Sequence, residues 1–297
     1  MSAARMTGRV LRGVGGLYTV RGEDGREYVL RARGRFRREG LAPMVGDNVR
    51  FTPGRDEEHG WLDEILPRVS QSLRPPAANI TLQVLVIAPE PEPDLMLVDR
   101  LLVHAGQSGF AALLCINKCD LDDRLAGVIA EQYRGAGIEA LATSACTGAG
   151  LDTLRARMLP EVSCMAGQSA VGKSTLLNAL MGLRLRTGGL SERIRRGRHT
   201  TRHAELLEAN GLTVLDTPGF SLLSLDARLA PHELQDWYPE YEARAAACRF
   251  QPCMHDAEPG CAVLGAVAAG ELDAARHARY RTLLQEVRQT WKARYTR

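Results

Sequence analysis

The sequence predicts three units in tandem: a small all-β barrel over residues 1–74, a doubly wound α/β domain over 75–229, and a helical segment over 230–297. Three observations carry that division. Short strand-like runs broken by glycine turns fill roughly the first 70 residues. Buried apolar runs then alternate with helical stretches, the pattern of a mostly parallel sheet. From Pro231 apolar residues recur at helical spacing. The chain has 297 residues, 45% of them hydrophobic and 25% charged, enough apolar material for several cores and too much for wholesale disorder.

In the first unit the strands are expected at Thr7–Val14, Leu17–Val20, Glu27–Ala32, Asp47–Thr52 and Trp61–Leu66, with Gly15-Gly16 and Gly22–Gly25 as turns. Five strands in so short a stretch fit an OB-fold, a barrel that often binds RNA. This stretch carries 14 Arg against 10 acidic residues. The run Arg31, Arg33, Arg35, Arg37 and Arg38, with Phe36 inside it, suits phosphate contacts plus base stacking. Pro75-Pro76 reads as a linker.

In the second unit Leu82–Ile87, Ala111–Ile116, Ala140–Ala142, Val162–Ala166 and Thr213–Leu215 are the strands, and 94–105, 125–134, 151–158 and 174–181 the helices. In the third, helices are expected over 231–247, 262–269 and 271–294. No run of about 18 apolar residues exists, so no membrane-spanning helix is expected. The first residues lack the apolar stretch of a secretory signal, which points to the cytoplasm. Seven cysteines in that setting read as thiols or metal ligands, not a disulfide framework.

The densest chemical signal is Gly167-Gln168-Ser169-Ala170-Val171-Gly172-Lys173-Ser174, followed by Thr175. It fits G-x-x-x-x-G-K-[ST] between a strand and a helix, the context of a phosphate-binding P-loop. The glycines let backbone N–H groups turn inward onto phosphates, and the helix N-terminus adds its dipole. Lys173 is the residue to reach the β- and γ-phosphates, and Ser174 to ligate Mg²⁺. Only three of the 38 basic residues are lysine, Lys118, Lys173 and Lys292, and two of those three fall in nucleotide motifs.

Asp216-Thr217-Pro218-Gly219 ends another apolar strand. There Asp216 can hold the metal through water and Gly219 can offer its N–H to a γ-phosphate. Asn117-Lys118-Cys119-Asp120 ends the strand Ala111–Ile116 and looks like the guanine-reading N-K-x-D box. The Asp120 carboxylate can accept both guanine N–H groups, and the Lys118 stem can lie over the base. Thr143-Ser144-Ala145 resembles the accessory loop at the guanine carbonyl, with Ser144 and Ala145 in contact. The order is informative: the base box precedes the P-loop and D-T-P-G, where ordinary GTPases place it after them. That is a circular permutation of an α/β P-loop GTPase domain, which close-lying domain termini allow. A P-loop kinase is disfavoured because the base box would then have no task.

Cys248, Cys253, His255 and Cys261 gather four soft ligands within 14 residues, a closed tetrahedral set of the structural zinc type. One structural Zn²⁺ per chain is expected. Cys115, Cys119, Cys146 and Cys164 read as small apolar fillers.

Together these features resemble one family closely, the circularly permuted, ribosome-small-subunit-dependent GTPases (RsgA). The resemblance spans roughly residues 5–285 and includes the C-terminal stretch YPEYEARAAACRFQPCMHDAEPGCAV. It implies an OB-fold, a permuted GTPase domain and a zinc domain. It also implies binding to the small ribosomal subunit and its rRNA late in assembly, with hydrolysis of GTP to GDP and phosphate; a monomer is expected. Arg196–Thr201 matches the family's R-G-R-H-T-T switch. Thr200 or Thr201 then supplies the Mg²⁺-sensing hydroxyl, and residues 184–203 hold seven Arg and one Glu. Phe220 stands where many GTPases carry a water-orienting glutamine, so slow intrinsic turnover is expected. His199 is the local substitute for that glutamine. About a dozen residues separate Gly219 from Pro231, so a γ-phosphate-driven shift is expected to alter how the C-terminal unit sits on the GTPase domain. Two alternatives stay open: an RNA-binding module with a mainly structural nucleotide, and a tRNA- or translation-related GTPase.

Overall fold

The computed structural model describes residues 5–54, 58–73, 75–183, 204–216 and 225–294. His199, Thr200, Thr201, Gly219 and Phe220 lie outside the described residues.

Strands β1 (Met6–Val14), β2 (Leu17–Gly22), β3 (Glu27–Ala32), β4 (Asn48–Thr52) and β5 (Gly60–Ile65) follow the expected runs. They close in the order β1-β2-β3-β5-β4, with β4 returning to β1 and only β3–β5 parallel. The two-residue turn between β1 and β2 needs positive φ twice, and Gly15 (60°) and Gly16 (80°) supply it. Alternation turns Val10, Val20, Leu30, Val49, Phe51 and Leu62 inward. The short helix α1 (Gly34–Arg38) adds Phe36 to that core at 4% exposure. Phe36 is therefore a barrel plug, not a stacking platform. An aromatic flanked by arginines in sequence is drawn inward when the chain turns helical beneath it.

Pro75-Pro76 is likewise not a linker. It lies at the turn of a hairpin, β6 (Gln71–Leu73) with β7 (Pro76–Ala78). Ala77 and Ile80 pack with Leu11 and Val45 into the core beneath the next sheet, fixing the barrel against it.

That sheet holds β8 (Leu82–Ile87), β9 (Ala111–Ile116), β10 (Glu139–Ala142), β11 (Val162–Ala166), β12 (Glu205–Ala209) and β13 (Leu212–Asp216). The order is β10-β9-β8-β11-β13-β12. The first five run parallel, and β12, which lies outside the predicted strands, is antiparallel and meets β1 at Glu205–Arg12. All six residues of β8 are buried, as expected of a strand covered on both faces. Helix α2 (Leu95–Ser108) packs on one face of this sheet. It is capped by the Asp94 carboxylate, which accepts from the Leu97 N–H, and ended by Gly109 in the left-handed region. α3 (Leu125–Tyr133) shares that layer, while α4 (Leu151–Met158) and α5 (Lys173–Met181) cover the other.

The helix expected over 231–247 is in fact two pieces, a 3₁₀ turn Pro231–Trp237 and α6 (Pro239–Ala245). Pro239 lacks the N–H needed to continue a helix through it. α7 (Ala262–Ala268) and α8 (Ala274–Ala293) follow, the latter capped by Asp273. Tyr238, Tyr241, Tyr280, Leu283, Leu284 and Val287 form their core, together with Cys248, Cys253 and Cys261 and with Val103 of α2. A buried ion cluster sits at this junction. The Asp99 carboxylate accepts from Arg276, from Arg279 Nε (2.5 Å) and from the Tyr133 hydroxyl (2.9 Å), while Arg276 Nε donates to Glu240 (2.5 Å). Gly106 of α2 makes room for Trp237, whose ring would lie 2.5 Å from a Cβ added there.

Candidate nucleotide site and metal centre

Because β8, β9, β10, β11 and β13 run parallel, their C-terminal ends open on one edge, where ligands bind in sheets of this kind. The base box follows β9, Thr143–Ala145 follows β10, the P-loop follows β11 and Asp216 ends β13. The structure thus brings together Asn117, Lys118, Asp120, Ser144, Ala145, Gly167 to Thr175 and Asp216. Asp120, Ser169 and Ala170 are exposed; Lys118, Ser174, Thr175 and Asp216 are half-buried.

The loop geometry depends on glycine at two points. Gly167 has φ 134° and a Cβ there would lie 2.1 Å from the Val86 carbonyl oxygen; Gly172 has φ 94° and a Cβ there would meet Asn117 Nδ2 at 2.3 Å. Lys173 Nζ donates to the carbonyls of Gly167 (2.7 Å) and Gln168. Burial pulls its pKa down to about 8, which leaves an ammonium at neutral pH that is poorly solvated and thus primed for an anion.

Asn117 has a task that the four-letter motif alone did not reveal. Its Nδ2 donates to the Val171 carbonyl in the P-loop (2.8 Å), and its Oδ1 accepts from the Ala145 N–H (3.1 Å). One buried side chain therefore ties the base box to both other loops. Lys118, at φ 61°, spans the same gap: Nζ donates to the carbonyls of Ala170 (2.9 Å) and Glu90 (2.6 Å), which lays its stem along the site. Ser144 Oγ accepts from the Thr147 N–H (3.1 Å), setting the Thr143–Ala145 turn. Gln168 links the P-loop to α2, accepting from the Asp94 N–H and donating to the Glu92 carbonyl, each at 2.9 Å.

Cys248, Cys253, His255 and Cys261 are all buried, with their ligand atoms within 4.8 Å of one another. Cys248 Sγ lies 3.9 Å from Cys261 Sγ and 3.7 Å from His255 Nδ1, and His255 Nδ1 lies 3.3 Å from Cys261 Sγ. A tetrahedron with ~2.3 Å metal–sulfur bonds has edges of about 3.8 Å, so the set fits a zinc-sized ion. Burial pushes the Cys253 thiol up, so a cation in the cluster is what would draw off its proton. His255 Nε2 lies 2.7 Å from Gln235 Oε1, an acceptor that fixes the N–H on Nε2 and leaves the Nδ1 lone pair for metal. Gln235 lies 20 residues before His255, and no sequence signal marked it. The Ala262 and Leu264 N–H groups point at Cys248 and Cys261 sulfur. Of the other cysteines, Cys115 and Cys164 are buried fillers, Cys119 is half-buried and Cys146 is exposed, so the filler reading does not hold for Cys146.

A P-loop, a base-box loop and a D-x-x-G strand on one sheet edge, with the base box first along the chain, define a circularly permuted P-loop GTPase. The RsgA GTPase family model matches residues 65–226, and the RsgA N-terminal domain model matches residues 7–62. The chain belongs to the RsgA family and is a GTP-hydrolysing enzyme. It is 44% identical over 285 residues to a Moorella thermoacetica protein named small ribosomal subunit biogenesis GTPase RsgA, covering 95% of this chain and 97% of the relative. A protein of the same name from Caldanaerobacter subterraneus is 41% identical over 296 residues, covering 98% and 99%. Among solved structures, YjeQ from Thermotoga maritima superposes with a TM-score of 0.82 at 34% identity, covering 96% of this chain and 99% of that one. YloQ, described as a circularly permuted GTPase, gives 0.77 at 31%, covering 97% and 96%.

Proposed function

We propose that this enzyme binds the small ribosomal subunit and its rRNA late in assembly and hydrolyses GTP there to GDP and phosphate. The observation that carries the reading is the joining of base box, accessory loop and P-loop through Asn117, on a chain that matches small-subunit biogenesis GTPases over nearly its whole length. Asp120 accepts the two guanine N–H groups, the Lys118 stem covers the base, and Ser144 and Ala145 meet the guanine carbonyl. The backbone of Gly167 to Thr175 wraps the phosphates. Lys173 moves its ammonium from the loop carbonyls to the β- and γ-phosphate oxygens as charge builds there. Ser174, and Asp216 through water, are the residues to hold Mg²⁺, with Thr200 or Thr201 from the switch; Gly219 meets the γ-phosphate. His199 positions the attacking water in place of the glutamine that Phe220 supplants. The four-ligand cluster holds one structural Zn²⁺. Among the described residues no helix is long and apolar enough to cross a membrane, and no membrane partner is invoked.

The test is turnover with purified ribosomal subunits. Small subunits are expected to raise the GTPase rate well above the free enzyme and above the effect of large subunits. Equal rates with either subunit would refute the reading.

A further inference from the structure

Gln168 is held at both ends. Its main-chain carbonyl accepts from the Lys173 ammonium, and its side-chain amide is bonded to the segment that enters α2. That segment, Ala88-Pro89-Glu90-Pro91-Glu92-Pro93-Asp94, has proline at every second position. Each proline ring fixes φ, so the segment has little slack in which to absorb a displacement. Both nucleotide motifs grip its backbone. Lys118 Nζ donates to the Glu90 carbonyl (2.6 Å), Gln168 Nε2 donates to the Glu92 carbonyl (2.9 Å), and Gln168 Oε1 accepts from the Asp94 N–H (2.9 Å). All three partners are main-chain groups, which follow a movement only if the chain itself moves.

Helix α2 begins where this segment ends, and one of its faces is built into the C-terminal unit. Asp99 accepts from Arg276 and Arg279, and Arg100 donates to Glu286 (2.5 Å). Val103 lies in the core around Tyr238 and Tyr280, and Gly106 seats the Trp237 ring. The spacing 99, 103, 106 is that of a single helical face. Asp99 and Val103 are fully buried, and close-packed contacts of that kind transmit a shift rather than absorb it.

We propose that Gln168 is the positioning residue through which filling of the P-loop reaches the C-terminal helices, with the proline segment and α2 as the lever. On binding, phosphate oxygens replace the Gly167 and Gln168 carbonyls as partners of Lys173 and fix the N–H groups of the loop. The main chain at 168 then takes a firmer position, and its side-chain amide carries that to Glu92 and Asp94. α2 passes it to α8 through Asp99, Arg100 and Val103. This route is separate from the tether between Gly219 and Pro231. It is also reciprocal: a partner bound to the C-terminal helices has to change nucleotide affinity by the factor that nucleotide changes the partner's. The proposal rests on the guanine-nucleotide reading of the site.

The experiment is hydrogen exchange on the full zinc-loaded chain, read by mass spectrometry without nucleotide, with saturating Mg²⁺–GDP, and with a non-hydrolysable GTP analogue. In the parent, nucleotide should slow exchange in the P-loop and also in α2 and α8, the latter by about 5-fold or more, the lower end of coupling between two sites. Gln168→Ala should keep the slowing in the P-loop at saturation and lose most of the response in α8. Pro93→Gly removes no nucleotide contact and only gives the segment slack. It should lose the α8 response in the same way, which covers the case in which Gln168→Ala binds nucleotide poorly. A merely structural role for either residue would alter exchange equally with and without nucleotide. A protected P-loop with no response in α8 of the parent would overturn the lever and leave the nucleotide site standing. A full α8 response in both variants would overturn it as well, since the signal would then travel elsewhere. If neither nucleotide slows exchange in the parent P-loop, the reading of the site itself fails and the proposal falls with it.

Discussion

Arg276→Met is the sharpest test of how the GTPase domain and the C-terminal helices are joined. Arg276 is 4% exposed in its side chain, and its two carboxylate partners, Asp99 and Glu240, are 0% and 5% exposed. Its guanidinium also lies 4.6 Å from the Tyr133 ring centre and 4.8 Å from that of Tyr238. Methionine fills much of the same volume but leaves Glu240 without its cation, and Asp99 with Arg279 and Tyr133 alone. Stranding a buried carboxylate in this way costs about 3–5 kcal/mol. At about 4 kcal/mol the local opening equilibrium shifts by roughly 10³-fold. Native-state hydrogen exchange reads this element by element, which matters because a multidomain chain need not unfold in one step. The expected result is exchange accelerated by about that factor in α8 and also in α2, with Asp99→Asn and the double variant showing a coupling of ~2 kcal/mol or more. Acceleration below about tenfold, acceleration confined to α8, or simple additivity would refute the argument. Because α2 also touches the P-loop through Asp94 and Gln168, any nucleotide-driven movement of the C-terminal helices has to carry α2 with it. The buried cluster thus weighs against the reorientation that the short tether between Gly219 and Pro231 suggests.

Asp120→Asn should lower GTP affinity and move preference toward xanthosine triphosphate, whereas the parent should prefer GTP over ATP by a factor on the order of 10⁴; equal ATP and GTP affinities in the parent would refute the base-box reading. Metal analysis should find one zinc per chain. Chelation should unfold the region around Tyr241 and Tyr280, since small zinc sites contribute about 10–16 kcal/mol, much of it folding energy; metal-free protein with an unchanged melting curve would count against this. His199→Ala should cut subunit-stimulated turnover by roughly 10²-fold with GTP affinity nearly unchanged, and an unaltered rate would remove His199 from the mechanism. His104 is held neutral between Ser72 and Ser108, and burial lowers its pKa from 6.5 to about 4. The unfolded chain therefore takes up this proton first on acidification, so its contribution is complete above about pH 6.5 and is lost by pH 4, by roughly 2–3 kcal/mol. Denaturant midpoints of His104→Gln should fall less steeply than the parent's across that window.

Features whose physics is local were legible in the residues alone. Backbone alternation placed five barrel strands, and the P-loop's glycines at Gly167 and Gly172 announced a turn that side chains would block. Cys248, Cys253, His255 and Cys261 lie close enough along the chain to meet by short-range folding alone. Contacts between segments distant along the chain came only with the packed fold. It chose Trp61 over Phe36 as the exposed aromatic of the barrel, because a short helix turns Phe36 into the core. It gave Asn117 its partner 54 residues away in the P-loop, set Gln235 behind His255, and paired Asp99 with Arg276 across 177 residues. Such pairings have no periodicity to read. They exist because packing α8 on α2 removes water from both, and a buried charge then has to find its opposite in whatever the fold has brought beside it.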